Sequence, residues 1–93
     1  MTSYEIGRRA EWEVAAQLER AGYDVVRSRG SKGPVDIIAC NKTHIRLIQV
    51  KYNCEASPAE IEALCYFKGP AGHTEREIWT RARGVRGWTI RSL

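Results

Sequence analysis

The stretch VDIIACNKTHIRLIQVKY, residues 35–52, decides the fold class of this chain. Its two ends, 35–40 and 44–52, are runs rich in β-branched residues, and the polar segment 41–43 between them is typical of a turn. The stretch therefore predicts two strands that follow each other directly. Both strands carry polar side chains among apolar ones, and these residues become important for the chemistry below.

The residues before this stretch predict a helix, a strand and a loop. A helix over 3–21 follows from apolar residues at helical spacing, with Ser3 as its N-cap and Gly22 at its end. The β-branched segment 23–28 (YDVVRS) predicts a strand. Two glycines and a proline in 29–34 (RGSKGP) predict a loop.

The residues after the stretch predict a second helix and two more strands. Ser57 is a suitable cap and Pro58 a suitable first residue for a helix over 58–67. A loop over 68–73 leads to short strands at 77–81 and 88–92, around a turn at 84–87. The order α-β-β-β-α-β-β predicts an α/β fold with a mixed central sheet of about five strands flanked by helices, the second helix forming a crossover. We expect residues 1–93 to form a single domain.

Composition places the chain among soluble globular proteins. No apolar run approaches the roughly 20 residues of a membrane span, and the N-terminus lacks the apolar core of a signal peptide, so we expect a cytoplasmic protein without a membrane partner. The three cysteines are odd in number and include no CxxC pair. This argues against a disulfide framework and a zinc site, and favours reduced thiols.

The positive charge is concentrated near the end of the chain. The net charge is +4, and residues 76–93 contain five arginines against one acid, Glu77, whereas residues 55–62 contain three acids and no base. A concentrated positive charge favours a surface that binds a polyanion.

Polar side chains lie in the strands where burial is expected. Asp36 stands between apolar residues, and an unpaired carboxylate there is costly to bury. Gln49 and Lys51 are two residues apart in the next strand, so they share one face, and Val50 lies on the other. These three polar groups on adjacent strands indicate a site.

A fourth polar group comes from the first helix. Glu11 lies three residues before Val14 on the apolar face that packs on the sheet, so it requires a counter-charge. The carboxylates of Glu11 and Asp36, the Gln49 amide oxygen and the Val50 carbonyl form an all-oxygen set suited to Mg²⁺ or Mn²⁺. Such a cation activates water and stabilises charge on a phosphate, with Lys51 beside it. The spacing alone is also compatible with an Asp36–Lys51 salt bridge at the sheet edge.

Because VDIIA (35–39) is followed by LIQVK (47–51), and a helix with Glu11 precedes both, the chain resembles the PD-(D/E)xK nuclease superfamily and, within it, the archaeal-type Holliday junction resolvases. GRRAEWEVAAQLERAGYDVVRSRGSKG (7–33) resembles their opening helix, strand and loop. VDIIA (35–39) and LIQVK (47–51) resemble their "xDIVA" and "xIEVK" strands, and GWTIRSL (87–93) their terminal strand. The resemblance covers nearly the whole chain and implies a restriction-endonuclease-like fold.

The resemblance also implies roles for single residues. Glu11 and Asp36 match metal-binding acids, and Lys51 matches the catalytic lysine. Arg27 matches a strand arginine needed for activity, and Ser31 a loop serine near the scissile phosphate. The chain departs from the pattern at two positions. Gln49 replaces the usual glutamate, which removes one negative charge from the metal site, and Trp12 replaces the usual arginine, which removes a phosphate contact or adds a dimer contact.

The resemblance implies an Mg²⁺- or Mn²⁺-dependent endonuclease that resolves four-way junctions of double-stranded DNA as a homodimer, without a small-molecule cofactor. We expect Arg8, Arg9, Arg29 and Lys32 to contact the DNA backbone. Two alternatives remain open at this stage. One is a restriction-like or flap-cutting nuclease of the same fold, and the other is a DNA-binding module weakened in catalysis by Gln49.

Overall fold

The predicted order of elements is present in the computed structural model, which describes residues 2–28 and 33–93. The described residues form two helices and five strands: α1 (Ser3–Arg20), β1 (Asp24–Arg27), β2 (Ile37–Cys40), β3 (Ile45–Tyr52), α2 (Pro58–Tyr66), β4 (Thr74–Arg81) and β5 (Thr89–Ser92). The predicted α/β class is therefore confirmed. Neither helix is long and apolar enough to cross a membrane.

The five strands form one mixed sheet in the order β1-β2-β3-β4-β5. All neighbours are antiparallel except β3 and β4, which are parallel and are joined by α2 as the predicted crossover. The β2 register ends with Ile37 opposite Ile48, whereas β3 continues alongside β4 as far as Tyr52. The last four residues of β3 therefore extend beyond the end of β2, and this step in the sheet positions the site.

The helices cover opposite faces of the sheet. One core cluster joins α1 to the sheet and includes Leu18, Ile48 and Trp79. The other cluster includes Leu47 and Ile78 from the same two strands, packed around Leu64 of α2. Because successive side chains of a strand point to opposite faces, these two clusters lie on the two sides of β3 and β4. The sheet is thus buried on both faces over its central strands.

Several element boundaries differ from the predictions. The N-cap of α1 is Thr2, whose hydroxyl accepts from the Glu5 N–H, and not Ser3. Strand β2 begins two residues later than predicted, at Ile37. Strand β4 begins three residues earlier, at Thr74, because parallel pairing with β3 begins at Ile45 opposite Thr74 and includes the polar residues that follow. Pairing partners, rather than local composition, set these boundaries.

Candidate active site

One cleft lies at the step where β2 begins and β3 continues past it. It brings together all four residues that the sequence singles out, from α1, the residue just before β2, and β3. The cleft has a volume of about 520 Å³ and is lined by Glu11, Asp36, Gln49, Val50 and Lys51, with Gly33, Pro34, Ala59, Glu60 and Ala63. The predicted site residues therefore share one open space, although they are far apart in the sequence.

Asp36 is turned toward the cleft by an irregularity of the sheet. Its N–H donates to the Ile48 carbonyl at 2.9 Å, although the register pairs Ile48 with Ile37. Asp36 and Ile37 thus both lie opposite Ile48. This is the arrangement of a β-bulge, a feature often found beside active sites. The buried Asp36 carboxylate accepts the Val50 N–H at 2.8 Å through Oδ2. Asp36 therefore precedes β2 instead of lying within it, and its carboxylate faces the free side of β3.

Val50 presents its backbone to the same place. The N–H and C=O groups of one strand residue point to the same side of the strand. Since the Val50 N–H points to the Asp36 carboxylate, the Val50 carbonyl is also directed to that side. The Val50 side chain packs against the core on the α1 face. This arrangement places a carbonyl oxygen beside the Asp36 carboxylate.

Gln49 and Lys51 share a face, as the sequence predicts, and both contact Glu60 of α2. Lys51 Nζ forms an ion pair with Glu60 Oε2, and Gln49 Nε2 donates to the same oxygen at 3.3 Å. The hydrogen bond from Lys51 is the largest of the effects that lower the pKa of Glu60, followed by the bond from the Ser57 N–H. Lys51 thus pairs with Glu60, a partner that differs from the Asp36 suggested by the spacing.

Glu60 is the site residue that the sequence interpretation missed. It is the N3 residue of α2, and with Ser57 it forms a capping box. The spacing Ser-x-x-Glu over 57–60 predicts that capping box, but it does not indicate a second role for the Glu60 carboxylate. Only the packing of α2 on the sheet brings Glu60 to Gln49 and Lys51.

Glu11 carries the clearest electrostatic signature of the site. Burial raises its pKa from 4.5 to about 7, the negative charge of Asp36 adds to the effect, and the positive charge of Arg27 opposes it. Two carboxylates that oppose each other's ionisation in a half-buried cleft favour a cation between them. A divalent cation would provide such a positive charge.

The donors in the cleft fit a hard divalent cation. They are two carboxylates, the Gln49 amide oxygen and the Val50 carbonyl, a set composed of oxygen only. Gln49 Oε1 is buried without a hydrogen-bond partner, which leaves a lone pair for a ligand. Across 2–28 and 33–93, no three His, Cys, Asp or Glu side chains converge on one point. The set therefore suits Mg²⁺, which commonly uses one or two carboxylates plus water and phosphate oxygens.

Comparison with known proteins identifies the family of the chain. The model of the archaeal Holliday junction resolvase family, Hjc, matches residues 2–91. The chain belongs to the archaeal Holliday junction resolvase family. Among solved structures, Hjc of Archaeoglobus fulgidus, a Holliday junction resolvase from an archaeal hyperthermophile, is similar with a TM-score of 0.73 and 27% identity. The match covers 90% of this chain and 73% of the Archaeoglobus chain, and confirms the restriction-endonuclease-like fold. No curated protein sequence matches the chain significantly.

In this resolvase-family chain, Arg27 lies beside the cleft under an exposed tryptophan. The Arg27 guanidinium lies 4.2 Å from the centre of the Trp12 ring. Its Nη1 atom is buried and has no hydrogen-bond partner. Trp12 itself remains 56% exposed. Trp12 therefore stacks on Arg27 and holds this arginine near Glu11.

The predicted DNA-contacting residues fall into two groups. Arg29 and Lys32 lie outside the residues that the structure describes, as does Ser31, which the resemblance implies as a catalytic residue. Arg8 and Arg9 are exposed near the start of α1, and Arg9 lines a second cleft of about 900 Å³. This basic cleft also includes Lys51, Arg81 and Arg83, and it adjoins the first cleft because Val50 and Lys51 line both.

The basic segment 76–93 is less available to a polyanion than its composition suggests. Arg76 donates to the Phe67 carbonyl through Nε and Nη2. Arg81 forms an ion pair with Glu13 and stacks on Trp88. These two arginines stabilise the fold, and the exposed charge of the segment comes from Arg83, Arg86 and Arg91.

Proposed function

We propose that this member of the resolvase family is a divalent-metal-dependent endonuclease that cuts four-way DNA junctions, and that residues 1–93 form one nuclease domain. The observation that carries the proposal is the cleft beside the start of β2, where Glu11, Asp36 and Gln49 present oxygen atoms beside Lys51. Family membership supports a nuclease that acts on branched DNA. The oxygen donors support the dependence on Mg²⁺ or Mn²⁺.

The residues of the cleft divide the chemistry between them. Glu11, Asp36, the Gln49 amide oxygen and the Val50 carbonyl would hold the cation, which supplies positive charge at the scissile phosphate and makes water a better nucleophile. Lys51 lies at the same edge and provides a point charge that binds the phosphate or orients the attacking water. Arg27 offers its unpartnered Nη1 to a phosphate oxygen, which would replace the missing hydrogen bond. Ser31 completes the proposed set near the scissile phosphate.

The basic cleft supports binding of the DNA backbone next to the cut. Arg9 and Arg83 line it, and it continues into the proposed active site through Lys51. Phosphate contacts fix the position of DNA without reading its sequence, as selection by branch shape requires. Arg8, Arg29 and Lys32 are proposed to extend the same contacts. We therefore propose recognition by shape, with binding that weakens strongly as salt increases.

A homodimer would match the two-fold character of a four-way junction, because each subunit can then cut one of two symmetry-related strands. The chain has exposed apolar side chains suited to such contacts. Tyr66 is 79% exposed and Phe67 is 40% exposed, next to each other at the end of α2. We propose that this region contributes to the dimer and that the reaction requires no small-molecule cofactor.

The test compares substrates that share the same arm sequences. A four-way junction, a flap and a linear duplex are incubated with the protein in Mg²⁺, in Mn²⁺ and in a chelator. We expect paired cuts near the branch of the junction, slower or no cutting of the flap and duplex, and no cutting with the chelator. Tight junction binding without cleavage in either metal contradicts the catalytic proposal, and faster cutting of flaps contradicts the junction preference.

A further inference from the structure

The two carboxylate oxygens of Glu60 perform different tasks. Oε1 accepts the Ser57 N–H at 2.9 Å, which completes the capping box of α2. Oε2 faces the sheet, where it accepts from Gln49 Nε2 and pairs with Lys51 Nζ. A cap requires only the first of these contacts. The second contact joins the helix terminus to two residues of the proposed active site.

The Glu60 contact fixes which end of the Gln49 amide faces the cleft. An amide has a donor end and an acceptor end on opposite sides of one carbon, and their assignment follows from the hydrogen-bond partners. An ionised carboxylate accepts hydrogen bonds but does not donate them, so the Nε2 end of the Gln49 amide faces Glu60. The Oε1 end is then turned away from Glu60, and it is the buried oxygen that has no partner.

We propose that Glu60 is a positioning residue that turns the Gln49 amide so that its oxygen faces the divalent cation. The inference rests on the proposed metal-dependent function and deepens it. A glutamate ligand would present an oxygen in either orientation, whereas a glutamine does so in only one. Glu60 thereby lets Gln49 act as an oxygen donor toward the cation.

Gln49 and Glu60 form a matched donor–acceptor pair. Changing Glu60 alone to glutamine keeps an acceptor for the cap but turns an amide N–H₂ toward Gln49 and Lys51, which are both donors. The Gln49 amide would then rotate and point its own N–H₂ group at the cation site. Changing Gln49 alone to glutamate would place two carboxylates against each other. Exchanging the two residue types restores one donor and one acceptor.

The experiment measures Mn²⁺ binding to the DNA-free protein by isothermal titration calorimetry, with the melting temperature as a check of folding. Glu60→Gln is expected to weaken Mn²⁺ binding by about 10- to 100-fold, as for other residues that orient metal ligands. Its fold should persist because glutamine also serves at the N3 position of a capping box. Glu62→Gln is the matched control, an equal charge change at an exposed position of the same helix, and should bind as wild type.

The exchange variant separates orientation from a general structural role. Gln49→Glu combined with Glu60→Gln is expected to bind Mn²⁺ several-fold or more tightly than Glu60→Gln alone. Glu60→Asp keeps the charge on a shorter side chain and should also weaken binding, which provides a second variant if Glu60→Gln does not fold. Wild-type affinity in Glu60→Gln or Glu60→Asp, or no recovery in the exchange variant, overturns the proposal. A wild-type protein that neither binds Mn²⁺ nor cuts junctions would instead refute the proposed function.

Discussion

Replacing Glu11 with glutamine is expected to stabilise the metal-free protein at high pH while it removes a proposed ligand. The folded protein holds the Glu11 pKa at about 7 instead of 4.5, chiefly through burial and then through the charge of Asp36. The folded state therefore binds a proton that the unfolded state releases between these values. The stability that the protonated Glu11 contributes is complete below pH 4.5 and is lost as the pH rises through 7.

The size of the effect follows from the same pKa. The rise of the Glu11 pKa from 4.5 to about 7 means that the folded protein is destabilised by at most about 3 kcal/mol when Glu11 is ionised. Glu11 is only half-buried, and solvent screening reduces this to about 1 kcal/mol. For a domain of this size, about 1 kcal/mol corresponds to roughly 4–8 °C in melting temperature. Glu11→Gln should therefore melt a few degrees above wild type at pH 8.

The assay is thermal unfolding followed by circular dichroism in a chelator, from pH 4 to pH 8. The difference between Glu11→Gln and wild type should be small at pH 4 and should grow through pH 7. Glu19→Gln, which replaces an exposed carboxylate of the same helix, should show no such growth. Added Mg²⁺ should raise the melting temperature of wild type more than that of Glu11→Gln. If the difference in melting temperature between Glu11→Gln and wild type is the same at pH 8 as at pH 4, the electrostatic reasoning is refuted.

Two further predictions concern the packing of α2 and the basic cleft. Leu64, which is fully buried, anchors α2 to the sheet. Leu64→Ala should lower the free energy of unfolding, measured in urea, by about 2–5 kcal/mol. Cys65→Ala, at the exposed neighbouring position, should change it little. An unchanged urea midpoint for Leu64→Ala would contradict the packing. Arg83→Ala should weaken junction binding and reduce the slope of log K against log salt concentration by about 1. Arg20→Ala at the far end of α1 is the control, and an unchanged slope in Arg83→Ala would exclude that arginine from the backbone contact.

Much of the fold could be predicted because local patterns and tertiary packing agree. The stretch 35–52 has the alternation and apolar character of two strands, and both strands are present. Ser57 and Pro58 predict the start of α2 correctly. Period-2 alternation also places Gln49 and Lys51 on one face, and their shared contact with Glu60 confirms it.

The parts that the sequence did not reveal depend on contacts between distant elements. The bulge at Asp36 exists because the Ile48 carbonyl accepts a hydrogen bond from the Asp36 N–H. No residue pattern near Asp36 predicts this bulge. The polar start of β4 resembles a loop until its pairing with β3 is known. The position of Glu60 after Ser57 predicts a helix cap, but its contact with Gln49 and Lys51 depends on where α2 packs on the sheet. Burial of Arg81 against Glu13 and Trp88 likewise depends on packing.

The assignment of this cleft as the active site is tested most directly by single-turnover cleavage of a four-way junction by wild type and Asp36→Asn in saturating Mg²⁺. Asparagine keeps the size of the side chain and can still accept the Val50 N–H, so the fold and junction binding should persist. We expect cleavage to fall by at least about 100-fold, because the site loses a charge that holds the cation. Cleavage by Asp36→Asn at the wild-type rate would contradict the assignment of this cleft as the active site.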